Sequence, residues 1–163
     1  MADALIQDLP LSDQTRWRYL SDQVMGGVSE GQARFDTEDG ATILRLTGDV
    51  STANRGGFVQ VRRDLDSALP TKTEGVILTV RGNDQRYFVH LRTAGAALPW
   101  QYYQAGFEAT SDWTEVRLPL SAFVPSGRLL RKTPRPETIR SLGIVAYGRD
   151  HRADISVKSV GFY

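Results

Sequence analysis

The sequence contains no cysteine among its 163 residues. Disulfides, thiolate nucleophiles, zinc ribbons and cysteine-ligated clusters are therefore excluded together. Long apolar runs are missing as well. Stretches such as Gly75–Val80 fall far short of the roughly 20 residues that a spanning helix needs, so membrane insertion is not expected. The opening residues Met1–Pro10 carry two aspartates and a broken apolar pattern, which does not read as a signal peptide. A cytoplasmic location is the expectation. A net charge of +1 gives no global pull toward nucleic acid or membrane, so any attraction must come from a local patch. P-loop and dinucleotide fingerprints are absent, as are the alternating helices such folds require. No cofactor is expected.

What is present reads as β-structure. The length and a 40% hydrophobic content suit a single globular domain spanning 1–163. Ile43–Thr47, Gly57–Arg62, Val76–Arg81, Arg86–Arg92, Trp113–Leu118 and Ile155–Phe162 are short, rich in β-branched or aromatic residues, and mostly alternating. Turn residues separate them, as in Glu38-Asp39-Gly40 and Gly82-Asn83-Asp84. Ser12–Tyr19, Pro136–Ser141 and, more weakly, Asp64–Leu69 read as short helical turns. The pattern predicts an all-β sandwich or barrel.

Alternation also assigns faces, because the strand period is two. Val59 and Val61 oppose Phe58, Gln60 and Arg62. Val76, Leu78 and Val80 oppose Ile77, Thr79 and Arg81, and Tyr87, Val89 and Leu91 oppose Phe88, His90 and Arg92. A strand near Trp100 would put Gln101 and Tyr103 on one side. Several strands thus carry an apolar face and a face of Arg, Gln, His and aromatics, which suits binding because such side chains supply planar donors and stacking area. The plainer reading is an ordinary solvated sheet face.

Three motifs invite chemistry. Gly27-Val28-Ser29-Glu30-Gly31 satisfies the nucleophile-elbow pattern, but the residues that follow alternate like a strand where a helix is required. Asp36, Glu38 and Asp39 cluster in one hairpin turn, where acids are common, and lack the calcium-loop spacing. Arg128, Arg131, Lys132, Arg135 and Arg140 form a Pro-rich basic loop with no accompanying nucleic-acid motif. None supports a catalytic residue, a metal ligand or a nucleic-acid site.

Longer patterns point to a family. Trp17, then Asp22-Gln23-Val24-Met25-Gly26-Gly27-Val28-Ser29, then Asn54-Arg55-Gly56-Gly57-Phe58 through Arg62, Arg81-Gly82, Tyr87, and Trp113 through Pro119 occur in an order that resembles the complex I intermediate-associated protein 30 family. The resemblance covers about 17–163 and looks like that of a compact bacterial member. It implies a galactose-binding-domain-like jelly-roll β-sandwich, related to carbohydrate-binding modules. It also implies an assembly-factor or chaperone-like role, without catalysis, on a respiratory-complex subunit or assembly intermediate. Arg81-Gly82-Asn83-Asp84 replaces the family's frequent Arg-Gly-Asp, and the loop after Phe123 is shortened.

The readings are therefore ordered. A protein-binding module comes first, docking through Gln60, Arg62, Arg81, Arg92, Gln101 and Tyr103. Arg62 and Arg81 are expected near one rim, each with an internal pairing to Asp64 or Asp84 as the structural alternative. A carbohydrate- or small-ligand-binding module comes second, motivated by Trp100, Tyr102 and Tyr103. A serine hydrolase using Ser29 comes last.

Overall fold

Residues 5–95, 98 and 101–163 are described by a computed structural model. In chain order its strands are β1 (Gln7–Asp8), β2 (Arg18–Ser21), β3 (Glu30–Glu38), β4 (Ala41–Val50), β5 (Phe58–Asp64) and β6 (Gly75–Gly82). They continue with β7 (Gln85–Thr93), β8 (Tyr103–Ala109), β9 (Thr114–Pro119), β10 (Val124–Pro125), β11 (Ile139–Tyr147) and β12 (His151–Phe162). The first sheet runs β3-β4-β12-β6-β9, with β1 against the end of β12. The second runs β10-β8-β7-β11-β5-β2. Neighbouring strands pair antiparallel, for example Val61 opposite Ile144 and Val157 opposite Val80.

The binary pattern explains why the sheets face each other. Val76, Leu78 and Val80 from the first sheet are fully buried, as are Val59, Val61, Tyr87, Val89 and Leu91 from the second. They meet in one apolar cluster with Leu142, Ile144 and Ile155. A residue directly before or after each points outward, because successive strand side chains alternate. The β3–β4 connection is a two-residue turn with Asp39 at φ 52° and Gly40 at φ 78°. Both angles are positive, which matches the hairpin turn whose twist suits the flanking strands.

The expected strands are all present, mostly longer than the sequence suggested. The helical expectations shrink to single 3₁₀ turns, Gln14–Arg16 and Pro136–Thr138, each followed at once by a strand. Trp17, buried with its indole N–H donating to the Pro10 carbonyl at 3.2 Å, ends the first turn and hands the chain to β2. The Asp64–Leu69 segment leaves β5 through bends rather than a helical turn. No helix among the described residues is long and apolar enough to cross a membrane.

Candidate functional site

The outer face of the second sheet collects the side chains that alternation turns away from the core. One row crosses it from edge to edge: Arg18, Arg62, Gly143, His90, Gln104 and Val124 lie opposite one another on successive strands. The next row holds Leu20, Gln60, Val145, Phe88 and Gly106. Phe58 and Tyr147 are paired beyond it. Two of the central positions are glycine, so neighbouring side chains lie across the backbone there. A Cβ on Gly143 would come 2.8 Å from Gln60 Oε1, and one on Gly106 would come 2.4 Å from the Arg86 guanidinium.

Aromatic rings floor one part of this face. His90 stacks on Tyr102 with centroids 4.1 Å apart, and Phe88 meets Tyr147 edge-on at 6.0 Å. Arg86 lies over Phe88 at 5.6 Å, within cation–π range. Between Arg86, Phe88, Gln104, Tyr147, Gly148 and Arg149 is an open hollow of about 240 Å³. His90 contributes no charge. Burial pushes its pKa down to about 4, while its bond to Gln104 opposes that shift. The neutral ring donates from Nε2 to Gln104 Oε1 at 2.7 Å, since a carbonyl oxygen only accepts. Burial also raises the Tyr102 phenol well above its ordinary pKa, as does its bond to Tyr147.

Arg62 differs from the paired arginines of the first sheet. On the first sheet's outer face, Arg45 grips Asp154 with bonds of 2.9 and 2.7 Å, and Arg81 grips Glu38 with bonds of 3.0 and 2.6 Å. Arg81 holds the Glu38 carboxyl below its usual range and lies 4.4 Å over the Trp113 ring. Arg62 is half-buried and has no hydrogen bond or ion pair among the described residues, and its Nε is enclosed without an acceptor. Burial lowers its pKa, and Arg18 and Arg92 lower it further, with Asp64 opposing.

The glycine-rich signature does something else. The Asp22 carboxylate is fully buried and accepts from Ser29 N at 2.9 Å, Gly57 N at 2.6 Å, Phe58 N at 3.2 Å and the Ser29 hydroxyl. Burial alone would raise its pKa, but these bonds, led by the Ser29 hydroxyl, hold it below the ordinary value. Gly27 and Gly56 are required by contact: a Cβ on either would stand 2.4 Å from an Asp22 side-chain atom. Gly26 closes the preceding turn at φ 88°. Met25 stays 59% exposed and outside this knot, and Asn54 sits at φ 56° in the adjoining turn. Ser29, fully buried, also accepts from Ser51 N at 2.8 Å, so no strained elbow presents its hydroxyl to a substrate. Elsewhere Asn83 donates to the Arg152 carbonyl and accepts from the Tyr87 hydroxyl. Gly82 packs against Ala109, where a Cβ would lie 2.7 Å away. Pro119 ends β9 opposite Gly75.

Of the residues expected to dock a partner, Gln60, Arg62 and Arg92 share the second sheet's outer face. Arg81 does not join them. It stands on the outer face of the opposite sheet, because β6 pairs with β12 and β9 while β5 pairs with β11 and β2. Neither of its expected partners applies: it pairs with Glu38, not Asp84. Tyr103 also departs from expectation. It lies opposite Leu91 on the core side of β8 and is only 2% exposed. Gln101 is buried at the entry to β8, accepting from Leu98 N at 3.1 Å. Trp100 lies outside the described residues. Sequence reasoning missed Arg18, Gln104 and Tyr147, which join the face only through strand pairing. Among the described residues no three acidic or histidine side chains gather as metal ligands.

Comparison with known structures defines the class. Over 99% of its length the chain is similar to the family 11 carbohydrate-binding module from Clostridium thermocellum, solved with a β-1,3-1,4-mixed-linked tetrasaccharide. The TM-score is 0.77, with 12% identity and 96% of that chain covered. The family 30 carbohydrate-binding module of a C. thermocellum cellulosomal cellulase matches with a TM-score of 0.68, 13% identity, and coverage of 99% of this chain and 98% of that one. The fold is thus a jelly-roll β-sandwich of the carbohydrate-binding-module type. No curated protein sequence matches the chain. The model of the complex I intermediate-associated protein 30 (CIA30) family matches residues 8–157, and the chain belongs to that family.

Proposed function

We propose that this domain is a non-catalytic, assembly-factor-like binding module whose docking surface is the outer face of the second sheet. Its target in this reading is a protein, a respiratory-complex subunit or assembly intermediate met in the cytoplasm, with no nucleic acid and no membrane insertion involved. The contrast between the two outer faces carries the reading. On the first sheet Arg45 and Arg81 are neutralised by Asp154 and Glu38. On the second, Arg62 is unpaired among the described residues and lies on the same face as exposed or half-exposed aromatics, the residue types that concentrate binding energy at interfaces. Family membership favours a protein target over others.

Crosslinking and affinity capture from native extract, with identification by mass spectrometry, tests it. The expected result is recovery of a respiratory-complex component that is lost with Tyr147→Ala and kept with Arg81→Ala. Recovery of no such component, or recovery indifferent to Tyr147→Ala, overturns the reading.

One observation favours a second reading. The open hollow beside Phe88 and Tyr147 has an aromatic lining of the kind that stacks on sugar rings, and sugar-binding modules share this fold. A glycan array followed by calorimetry decides it. Saturable sugar binding abolished by Tyr147→Ala promotes this reading, and a blank array removes it.

A further inference from the structure

Arg62 sits in a cross-strand row that holds no acid. Directly across β11 from it is Gly143, which raises no side chain, and across Gly143 is neutral His90. Arg18 faces Arg62 on β2, and Arg92 stands two residues from His90 on β7. The nearby acid Asp64 is exposed and reaches Arg18 at 3.8 Å. Arg62 is therefore a half-buried cation, unpaired among the described residues, with two further guanidiniums around it.

A half-buried cation of this kind is uncomfortable. Desolvation disfavours its charge, and like charges add to the penalty. On the first sheet the chain supplies a carboxylate to such guanidiniums at Arg45 and Arg81. Here Gly143 supplies no acid, and the Gln60 amide oxygen lies over it. The complement is a planar oxyanion, which a guanidinium fork grips through two parallel bonds.

We infer that the patch around Arg62 is a carboxylate site, in which Arg62, flanked by Arg18 and Arg92, receives an acidic side chain of the partner. This rests on the docking face proposed above and names the chemistry that the face selects. Arg62 is then a recognition residue whose cost to the free domain is recovered on binding.

The probe is a hexaglutamate peptide, titrated by calorimetry and by amide shifts at fixed ionic strength, with inorganic phosphate and a neutral mixed-linkage tetrasaccharide in parallel. Saturable hexaglutamate binding is expected, with shifts at Gly143. Arg62→Gln should weaken it tenfold or more, on the order expected for charged hydrogen bonds. Arg62→Lys, which keeps the charge and loses the fork, should fall between. Arg152→Gln, which removes an exposed arginine paired to Asp49 on the other sheet, should stay within twofold of the native domain. The melting temperature of Arg62→Gln should equal or exceed the native value, because an unpaired cation is removed. If Arg62→Gln instead melts early, the lysine variant carries the comparison.

Absence of saturable peptide binding overturns the assignment, as does an equal loss with Arg152→Gln. Phosphate binding tighter than the peptide also overturns it, by making the patch a phosphate site. The two proposals fail separately. Hexaglutamate binding without a captured protein removes the assembly-factor reading and leaves the carboxylate site. Capture undiminished by Arg62→Gln leaves the docking face and removes the carboxylate contact.

Discussion

Replacing Asp22 by asparagine tests the central structural argument, because the two side chains have nearly the same shape. One carboxylate oxygen accepts from Ser29 N and the other from the Ser29 hydroxyl, Gly57 N and Phe58 N. An amide has one oxygen. Placed toward Gly57, it leaves its NH₂ group facing the Ser29 N–H in a site with no access to water. An unsatisfied buried donor costs about 1–3 kcal/mol. The three remaining bonds lose their charge assistance, which roughly halves each. The expected loss is about 3 kcal/mol or more, or about 6–12 °C in Tm for a domain of this size. Acid should erase the difference. Asp22 has a folded pKa below its unfolded value of about 3.9. Its contribution is present above pH 4 and is lost as pH falls through the folded value. Urea unfolding from pH 7 to pH 2.5 on both proteins is the assay. A loss under 1 kcal/mol at pH 7, or a gap between the curves that fails to narrow below pH 4, refutes the knot as a charged acceptor.

Other outcomes follow from the same geometry. Gly56→Ala sets a methyl 2.4 Å from Asp22 Oδ2 and should cost about 1–3 kcal/mol by overpacking, read by thermal melting; native-like melting refutes the contact. His90 has a folded pKa near 4 against 6.5 unfolded, so the unfolded chain binds more protons between those values. Its stabilisation is complete above pH 6.5 and declines by about 3 kcal/mol toward pH 4. NMR titration of the ring checks this, and a midpoint near 6.5 refutes it. Ser29→Ala should lower the melting temperature by removing the hydroxyl that links Asp22 to Ser51. Any esterase activity surviving that change belongs to something other than Ser29.

The faces of β5, β6 and β7 were legible because their apolar and polar residues alternate cleanly, and each inward side chain assigned from the sequence is buried. The face of β11 was not legible. Gly143 breaks the alternation, and Val145 is buried even on the outer side, so Leu142 through Ala146 reads as an unbroken small or apolar run that no period can orient. The strand near Trp100 failed through its starting point. The expected face pairs Gln101 with Tyr103, but β8 begins at Tyr103, where pairing with Leu91 turns the ring inward. Arg62 and Arg81 look alike in sequence, each near the end of a strand on its polar side. Which sheet a strand joins is fixed by partners far along the chain, β11 for one and β12 for the other, and nothing local encodes that.

The family signature and the binding face are therefore different sets of residues with different duties. Asp22, Gly27, Ser29, Gly56 and Gly57 converge on one buried carboxylate that joins the segment before β3 to the entry of β5. These positions tolerate little because each is fixed by contact or backbone donation. They place Phe58, and hence the alternation of β5, with its outward residues Gln60 and Arg62. Arg62 carries no such constraint: removing its side chain breaks no hydrogen bond or ion pair among the described residues. A signature of this kind reports the scaffold, and in the reading proposed above ligand choice rests with side chains such as Arg62, Phe88 and Tyr147. That separation explains how one jelly roll can present a sugar-binding face in one protein and a basic, aromatic face in another without altering its core.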